Sequence, residues 1–216
     1  HYIEYFDYFM NEKNSLGLNS CFMDLDDPLE LFKIWMSEAE KKEINDPNAL
    51  SLATTNTQNE PSVRMILLKG FNKNGFVFYT NLNSPKSRDL KNNPKAAMCF
   101  HWKSLQRQVR ISGLISRVDD KEADTYFNSR PYESRIGAWA SDQSKPMNKK
   151  TEILNKIEDF KKKYKNEKDV PRPKHWSGWC LKPSSIEFWL GDEYRIHERL
   201  RYNKISNLWK KEILYP

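Results

Sequence analysis

Ser62-Val63-Arg64-Met65-Ile66-Leu67-Leu68-Lys69-Gly70-Phe71 runs into Asn72-Lys73-Asn74-Gly75 and returns as Phe76-Val77-Phe78-Tyr79-Thr80-Asn81. Both arms are rich in apolar, aromatic and β-branched residues, which suit a pleated, half-buried surface. The Asn/Gly tetrad between them tolerates the backbone conformations of a tight turn. The stretch reads as a β-hairpin. Its neighbours repeat the pattern: Ala49 to Thr55 lies before it, and Lys95 to Trp102 and Arg107 to Val118 follow.

Helical signals surround these strands. Asp26-Asp27-Pro28-Leu29-Glu30 opens a helix in which Asp27 caps, Pro28 takes the first turn and Glu30 completes a capping-box pattern. Leu31, Phe32, Trp35, Met36 and Ala39 then share one face. Ser84-Pro85-Lys86 starts a second helix to about Asn93. Asp119 or Asp120 caps a third through Phe127, Pro131 begins a short turn toward Ala140, Ser141 to Asn148 is a loop, and a lysine-rich helix ends near Lys165. After Pro171-Arg172-Pro173, strands are expected at Trp176 to Leu181, Ser185 to Leu190, Glu193 to Tyr202 and Leu208 to Leu214. About eight strands thus fall in two runs around a helical middle. Without regular βαβ alternation, a mainly β, antiparallel barrel with peripheral helices is expected over 26–216 as one domain. Residues 1–25 show no firm period and read as a loosely ordered arm or lid.

The composition agrees. Of 216 residues 38% are hydrophobic, but seven tryptophans, ten tyrosines and eleven phenylalanines bury area efficiently. Subunit pairing would add to that core. The net charge of +7 is concentrated between Lys149 and Lys168, where Glu152, Glu158, Asp159 and Glu167 are interleaved as on a solvated helix face. Cys21, Cys99 and Cys180 are too few and too far apart for a disulfide framework, which favours a reducing compartment, the cytoplasm. The four histidines lack metal-ligand spacing, and no apolar run is long enough to span a membrane. The chain starts His1-Tyr2-Ile3 without a methionine, so a removed targeting segment stays open. There is no Gly-x-Gly-x-x-Gly fingerprint or Walker loop, and only seven glycines in all; a nucleotide-like cofactor would have to be held by side chains.

Four clusters could carry chemistry. As a strand, Arg195 to Tyr202 puts Arg195, His197, Arg199 and Arg201 on one face, which calls for an anion or else is an exposed basic edge. Arg64 and Lys69 face opposite ways on a regular strand unless a bulge or turn re-aims Lys69. Tyr79-Thr80 with Ser84-Pro85-Lys86 at a helix start offers hydroxyls, a cation and free N–H groups to a phosphate. Tyr126, Arg130 and Ser134 offer two hydroxyls and a guanidinium, again suited to phosphate oxygens.

These clusters lie within a longer ordered set. Arg64 to Phe71, Phe78-Tyr79-Thr80-Asn81, Arg107-Gln108-Val109-Arg110 and Tyr126 to Pro131 come first. Ile136-Gly137-Ala138-Trp139, Gln143-Ser144, Trp176-Ser177-Gly178, Glu187-Phe188-Trp189 and Arg195 to Arg199 follow. From Asp27 to the C-terminus the set resembles the pyridoxine/pyridoxamine 5′-phosphate oxidase family. The resemblance implies an FMN-binding split β-barrel, a homodimer with FMN at its interface. It implies oxidation of pyridoxine or pyridoxamine 5′-phosphate to the aldehyde, with molecular oxygen as acceptor and hydrogen peroxide as by-product. It assigns FMN to Arg64, Lys69, Tyr79, Thr80 and Lys86, with Met65, Ile66, Leu67 and Leu68 between the first two. Gln108, Gln143, Ser144, Trp189 and Arg199 complete that set. Lys69, Tyr126, Arg130 and Ser134 fall to the substrate phosphate, and Arg195 and His197 to the pyridine ring. Where the family usually reads Ser-Arg-Lys this chain has Ser84-Pro85-Lys86, and Arg88, one helical turn on, is expected to stand in for the missing arginine. Leu190, the end Ile213-Leu214-Tyr215-Pro216 and the arm before Asp27 also depart from the family. Two other readings are a split-barrel flavin reductase or carrier, which needs no second phosphate grip, and a basic nucleic-acid-binding domain, which needs stacking aromatics along a basic groove.

Overall fold

The computed structural model describes residues 14–216, so the first thirteen residues of the expected arm lie outside it. Among the described residues, five α-helices surround nine strands. The helices are α1 (Pro28–Lys42), α2 (Pro85–Asn92), α3 (Asp120–Ser129), α4 (Tyr132–Ala140) and α5 (Lys150–Lys163). The strands are β1 (Ala49–Thr55), β2 (Pro61–Leu67), β3 (Gly70–Asn72), β4 (Gly75–Asn81), β5 (Lys95–Trp102), β6 (Arg107–Arg117), β7 (Trp176–Leu190), β8 (Glu198–Ile205) and β9 (Leu208–Leu214). All pairings are antiparallel, in the order β2-β1-β5-β6-β7-β4-β3, with β8 also on β7 and β9 on β8.

The hairpin forms where expected. Asn72 pairs with Gly75 across Lys73-Asn74, and the Asn72 side chain accepts from the Asn74 amide at 2.7 Å. Gly75 has φ +136°, and a Cβ there would sit 2.1 Å from the Leu181 carbonyl oxygen, so only glycine fits. The first arm, however, is two strands instead of one. Beyond Leu67 the chain leaves β1: the Leu68 amide bonds to Asn48 O and the Lys69 amide to Val77 O, both at 2.8 Å. The step from one partner strand to another breaks the run.

Two expected strands near the C-terminus are a single one. β7 pairs with β6 along one edge, while its other edge changes partner, from β4 at Trp176–Leu181 to β8 at Ser185–Leu190. Pro183 falls in the gap between those partners, where its missing N–H leaves no bond unmade. The expected strand Glu193–Tyr202 is corrected in the opposite sense: β8 begins only at Glu198. Asp192 folds the preceding residues into a turn, accepting from the Tyr194 amide at its side chain (2.9 Å) and from the Arg195 amide at its carbonyl (3.2 Å). Arg195 is left-handed, with φ +61°. Arg199 and Arg201 keep the strand alternation, but Arg195 and His197 do not.

The inner sheet face carries Leu50, Leu52, Met98, Phe100, Val109, Ile111, Ile186, Phe188, Leu200 and Tyr202, packed with Leu31, Phe32 and Trp35 of α1. Phe32 meets Phe71, Phe76 and Phe100 at centroid distances of 4.8, 5.0 and 5.3 Å. Asp27 caps α1 by accepting from the Leu29 amide. Residues 14–25 are not loose: Phe22 is fully buried, Trp35 Nε1 donates to Cys21 O (2.7 Å), and the Asn19 amide donates to Glu198 Oε2 (2.6 Å). Helices α3–α5 form a second core around Phe127, Ile136, Val170 and Trp176. No helix among the described residues is long and apolar enough to cross a membrane.

Candidate active site

The break at Leu68-Lys69 and the start of α2 make one cleft of about 530 Å³. It is lined by Arg64, Met65, Ile66, Leu67, Lys69, Tyr79, Thr80, Pro85, Lys86, Gln143 and Ser144. Arg64 and Lys69 therefore share a site, because the turn re-aims Lys69. Leu68 does not join them; its side chain is in the core.

The electrostatics of this cleft are one-sided. Lys86 is only 9% exposed, and its ammonium donates to Thr80 Oγ1 (3.2 Å), Gln143 Oε1 (3.3 Å) and Ser84 Oγ (3.4 Å), all uncharged. Desolvation, and then the nearby Arg64 charge, hold its pKa below the usual lysine value. Arg64 donates to Leu52 O (3.2 Å) and Thr54 Oγ1 (2.7 Å) and to the Ser62 hydroxyl. Burial lowers its pKa too, against the opposing pull of Asp89. None of the residues lining the cleft is a carboxylate. Lys86, a buried cation whose partners are all uncharged, favours an incoming anion. Arg88, by contrast, is exposed on α2, donates to Asn83 O at 3.2 Å and does not line the cleft.

Beside it stands a layered aromatic platform. Tyr79, Tyr126 and Trp176 lie with nearly parallel planes, at centroid distances of 4.0 Å (Tyr79–Tyr126, 11°), 5.3 Å (Tyr79–Trp176, 7°) and 6.3 Å (Tyr126–Trp176, 4°). Arg130 lies over Trp176 at 4.8 Å, its NH1 is buried without a hydrogen-bond partner, and burial lowers its pKa. Arg135 fixes the backbone below by donating from Nε to Arg130 O (3.0 Å). Ser134 is half-buried one turn further along α4. Burial, then Glu122, raises the Tyr79 pKa, so its hydroxyl stays protonated. Trp176 has no role in the sequence reading. Its signal was present all the same: period two places it two residues from Gly178, directly opposite which Tyr79 stands.

A third group occupies the outward face of the other half of the sheet. The register aligns His101, Gln108, Trp189 and Arg199 in one row across β5 to β8. His197 packs on Trp189 (4.7 Å between centroids), and its Nδ1 accepts from the Asp192 amide at 3.1 Å. A neutral His197 so bonded carries its proton on Nε2. Arg195 is exposed in the neighbouring turn. Within one chain, Gln108, Trp189, Arg195, His197 and Arg199 do not line the Arg64–Lys86 cleft. The sequence-predicted residues are therefore gathered into two separate half-sites.

Comparison with known proteins bears on this layout. Residues 36–164 match the family model described as pyridoxamine 5′-phosphate oxidase, and residues 176–216 match the pyridoxine 5′-phosphate oxidase C-terminal dimerisation region. A pyridoxine/pyridoxamine 5′-phosphate oxidase of Pelagibacter ubique is 65% identical over 208 residues, covering 96% of this chain and all of that one. One from Sinorhizobium fredii is 48% identical over 197 residues, covering 90% and 95%. Among solved structures, PhzG from Burkholderia lata 383, in complex with tetrahydrophenazine-1-carboxylic acid, superposes with a TM-score of 0.85 at 27% identity, covering 92% of this chain and 97% of that one. The curled antiparallel sheet is thus a split barrel, and this chain belongs to the pyridoxine/pyridoxamine 5′-phosphate oxidase family.

Proposed function

We propose that this chain, an oxidoreductase by family, uses FMN to oxidise pyridoxine 5′-phosphate or pyridoxamine 5′-phosphate to pyridoxal 5′-phosphate, the amine also consuming water and releasing ammonia. The observation that carries the cofactor is the cleft in which Arg64, Lys69 and Lys86 converge with no lining carboxylate. Its hydroxyl and amide groups, Thr80, Gln143 and Ser144, suit phosphate oxygens, and Met65, Ile66 and Leu67 suit a flat ring system. When bound, FMN supplies the two-electron acceptor for the substrate carbon, and molecular oxygen takes the electrons in turn and leaves as hydrogen peroxide. The protein's own groups position and polarise. Arg130 carries an unpartnered NH1 for the substrate phosphate, beside Tyr126, Ser134 and Lys69. Holding the phosphate away from the reacting carbon orients that carbon. His197, with Nδ1 occupied by the Asp192 amide, offers Nε2–H to the ring hydroxyl, and Arg195 covers the ring.

The two half-sites become one in a homodimer with FMN at the interface. Supporting this are the match of 176–216 to a dimerisation region and the apolar outward strip of β2, where Val63, Met65 and Leu67 are 68%, 64% and 38% exposed. Cytoplasmic action is part of the proposal, in keeping with three free thiols. Incubation with FMN and pyridoxine 5′-phosphate under air tests the whole reading. Peroxide and aldehyde should appear in equal amounts, and the absence of both sinks it.

A further inference from the structure

We propose that Glu187 is a positioning residue for the flavin site, holding the guanidinium of Arg199 in its working orientation. The inference rests on the assignment of Arg199 to FMN. Among the described residues, Glu187 is the one buried carboxylate, 6% exposed on the outward face of β7 two residues from Trp189. Its register neighbours are Arg110 on β6 and Arg201 on β8. It does not treat the three arginines alike. Glu187 Oε1 accepts from Nε of Arg199 at 3.0 Å and pairs in charge with its NH2 at the same distance. Arg110 comes only to 3.6 Å of Oε2, and Arg201 is paired instead with Glu212 at 2.7 Å. A second hydrogen bond, from Arg199 NH1 to Tyr215 O at 3.0 Å, holds the guanidinium from the other side. The planar fork is thereby fixed in rotation as well as position.

Stability alone is a poor reason for this arrangement. A buried ion pair recovers little more than its desolvation cost, and an apolar side chain of similar size often serves the fold as well. What the pair does supply is orientation. It keeps Arg199 in the row with Gln108 and Trp189, the two other residues of this half-site assigned to FMN. Groups that orient a binding residue from behind commonly matter to affinity without touching the ligand.

The test is a double-mutant cycle on FMN affinity. The dimeric apoprotein is titrated with FMN, and quenching of flavin fluorescence is followed for wild type, Glu187→Ala, Arg199→Ala and the double variant. Thermal midpoints of the four apoproteins are measured alongside. Glu187→Ala should raise the dissociation constant on the order of tenfold or more, the worth of a hydrogen bond to a charged group. In the Arg199→Ala background the same substitution should change it by less than about twofold, because the two act as one unit. A merely structural glutamate would weaken FMN by the same factor in both backgrounds and in step with the thermal midpoint, and that result overturns the proposal. Glu187→Gln keeps an acceptor oxygen in place and guards against a misfolded alanine variant. It should weaken FMN less than alanine does, again only when Arg199 is present. An unchanged affinity in both glutamate variants, with Arg199→Ala impaired, refutes the positioning role and leaves the flavin reading standing. A wild type that binds no FMN, or an Arg199→Ala variant that binds it normally, removes the flavin assignment and this inference with it.

Discussion

Replacing Gly178 by alanine sets two effects of opposite sign against each other. Gly178 lies mid-strand in β7 opposite Tyr79, and its φ is not in the left-handed region. On backbone entropy alone, alanine there should stabilise the fold by about 0.5–1 kcal/mol. The added Cβ, however, would lie 2.7 and 2.8 Å from Tyr79 Cε1 and Cδ1 and 2.9 Å from Val118 Cγ2. That is roughly 0.7 Å inside ordinary carbon–carbon contact. The Tyr79 ring cannot simply retreat, since it is stacked on Tyr126 and on Trp176. Overpacking of this kind costs about 1–3 kcal/mol, so the steric effect wins by roughly 1–2 kcal/mol. In a chain of this size that lowers Tm by about 2–8 °C. Differential scanning fluorimetry of the apoprotein reads the shift. Steady-state kinetics should show a raised KM for the phosphorylated substrate, because a displaced Tyr79 moves Tyr126 and disturbs the surface under Arg130. A Tm that rises or holds still would mean that the ring yields freely, and the platform argument would be wrong.

Other outcomes follow from the same geometry. Lys86→Met removes a buried cation that has no charged partner. The apoprotein should keep or gain thermal stability while FMN affinity falls by about tenfold or more, as titration of the apoprotein will tell. Arg130→Lys loses the planar contact with Trp176 and the NH1 donor. KM for the phosphorylated substrate should rise about tenfold with FMN affinity unchanged, and equal loss of both would argue against separate phosphate grips. Burial pushes the Cys21 thiol up to about 11 from an ordinary value of 9.0. A thiol held neutral by the fold stabilises it below pH 9, and that contribution is lost as pH rises from 9 toward 11. Thermal melts across that range should fall less steeply for Cys21→Ala than for wild type.

Local chemistry made parts of this fold legible. The Asn72–Gly75 turn, the Asp27 and Asp119 caps and the alternation in β1 and β5 each depend on a few adjacent residues, and each appears in place. Features decided by distant partners were hidden. Nothing near Leu68 announces that the chain will switch from β1 to β4, yet that switch is what brings Lys69 beside Arg64. Pro183 resembles a strand breaker but sits where the edge has no neighbour to lose. Asp192 winds the residues before β8 into a turn, so a period-two face could not describe Arg195 and His197. Arg88 lies on the helix that its spacing from Pro85 implied, but it is exposed and outside the cleft that Pro85 lines. Thr80 and Gln143 illustrate the general difficulty: they are hydrogen-bonded at 3.0 Å across 63 residues, and only the helical middle folding back makes them neighbours.

The divided edge of β7 also bears on how the molecule opens. The β3–β4 hairpin and the β8–β9 hairpin hang on the same strand without pairing with each other. Each can come away while the β1-β5-β6-β7 ladder remains closed, so native-state hydrogen exchange should resolve two separate opening units. The unit containing β8 carries Arg199, and the C-terminal carbonyl of Tyr215 that holds it, away together. Loss of that hairpin, by local opening or by proteolysis, would disarm one half-site and spare the cleft around Lys86.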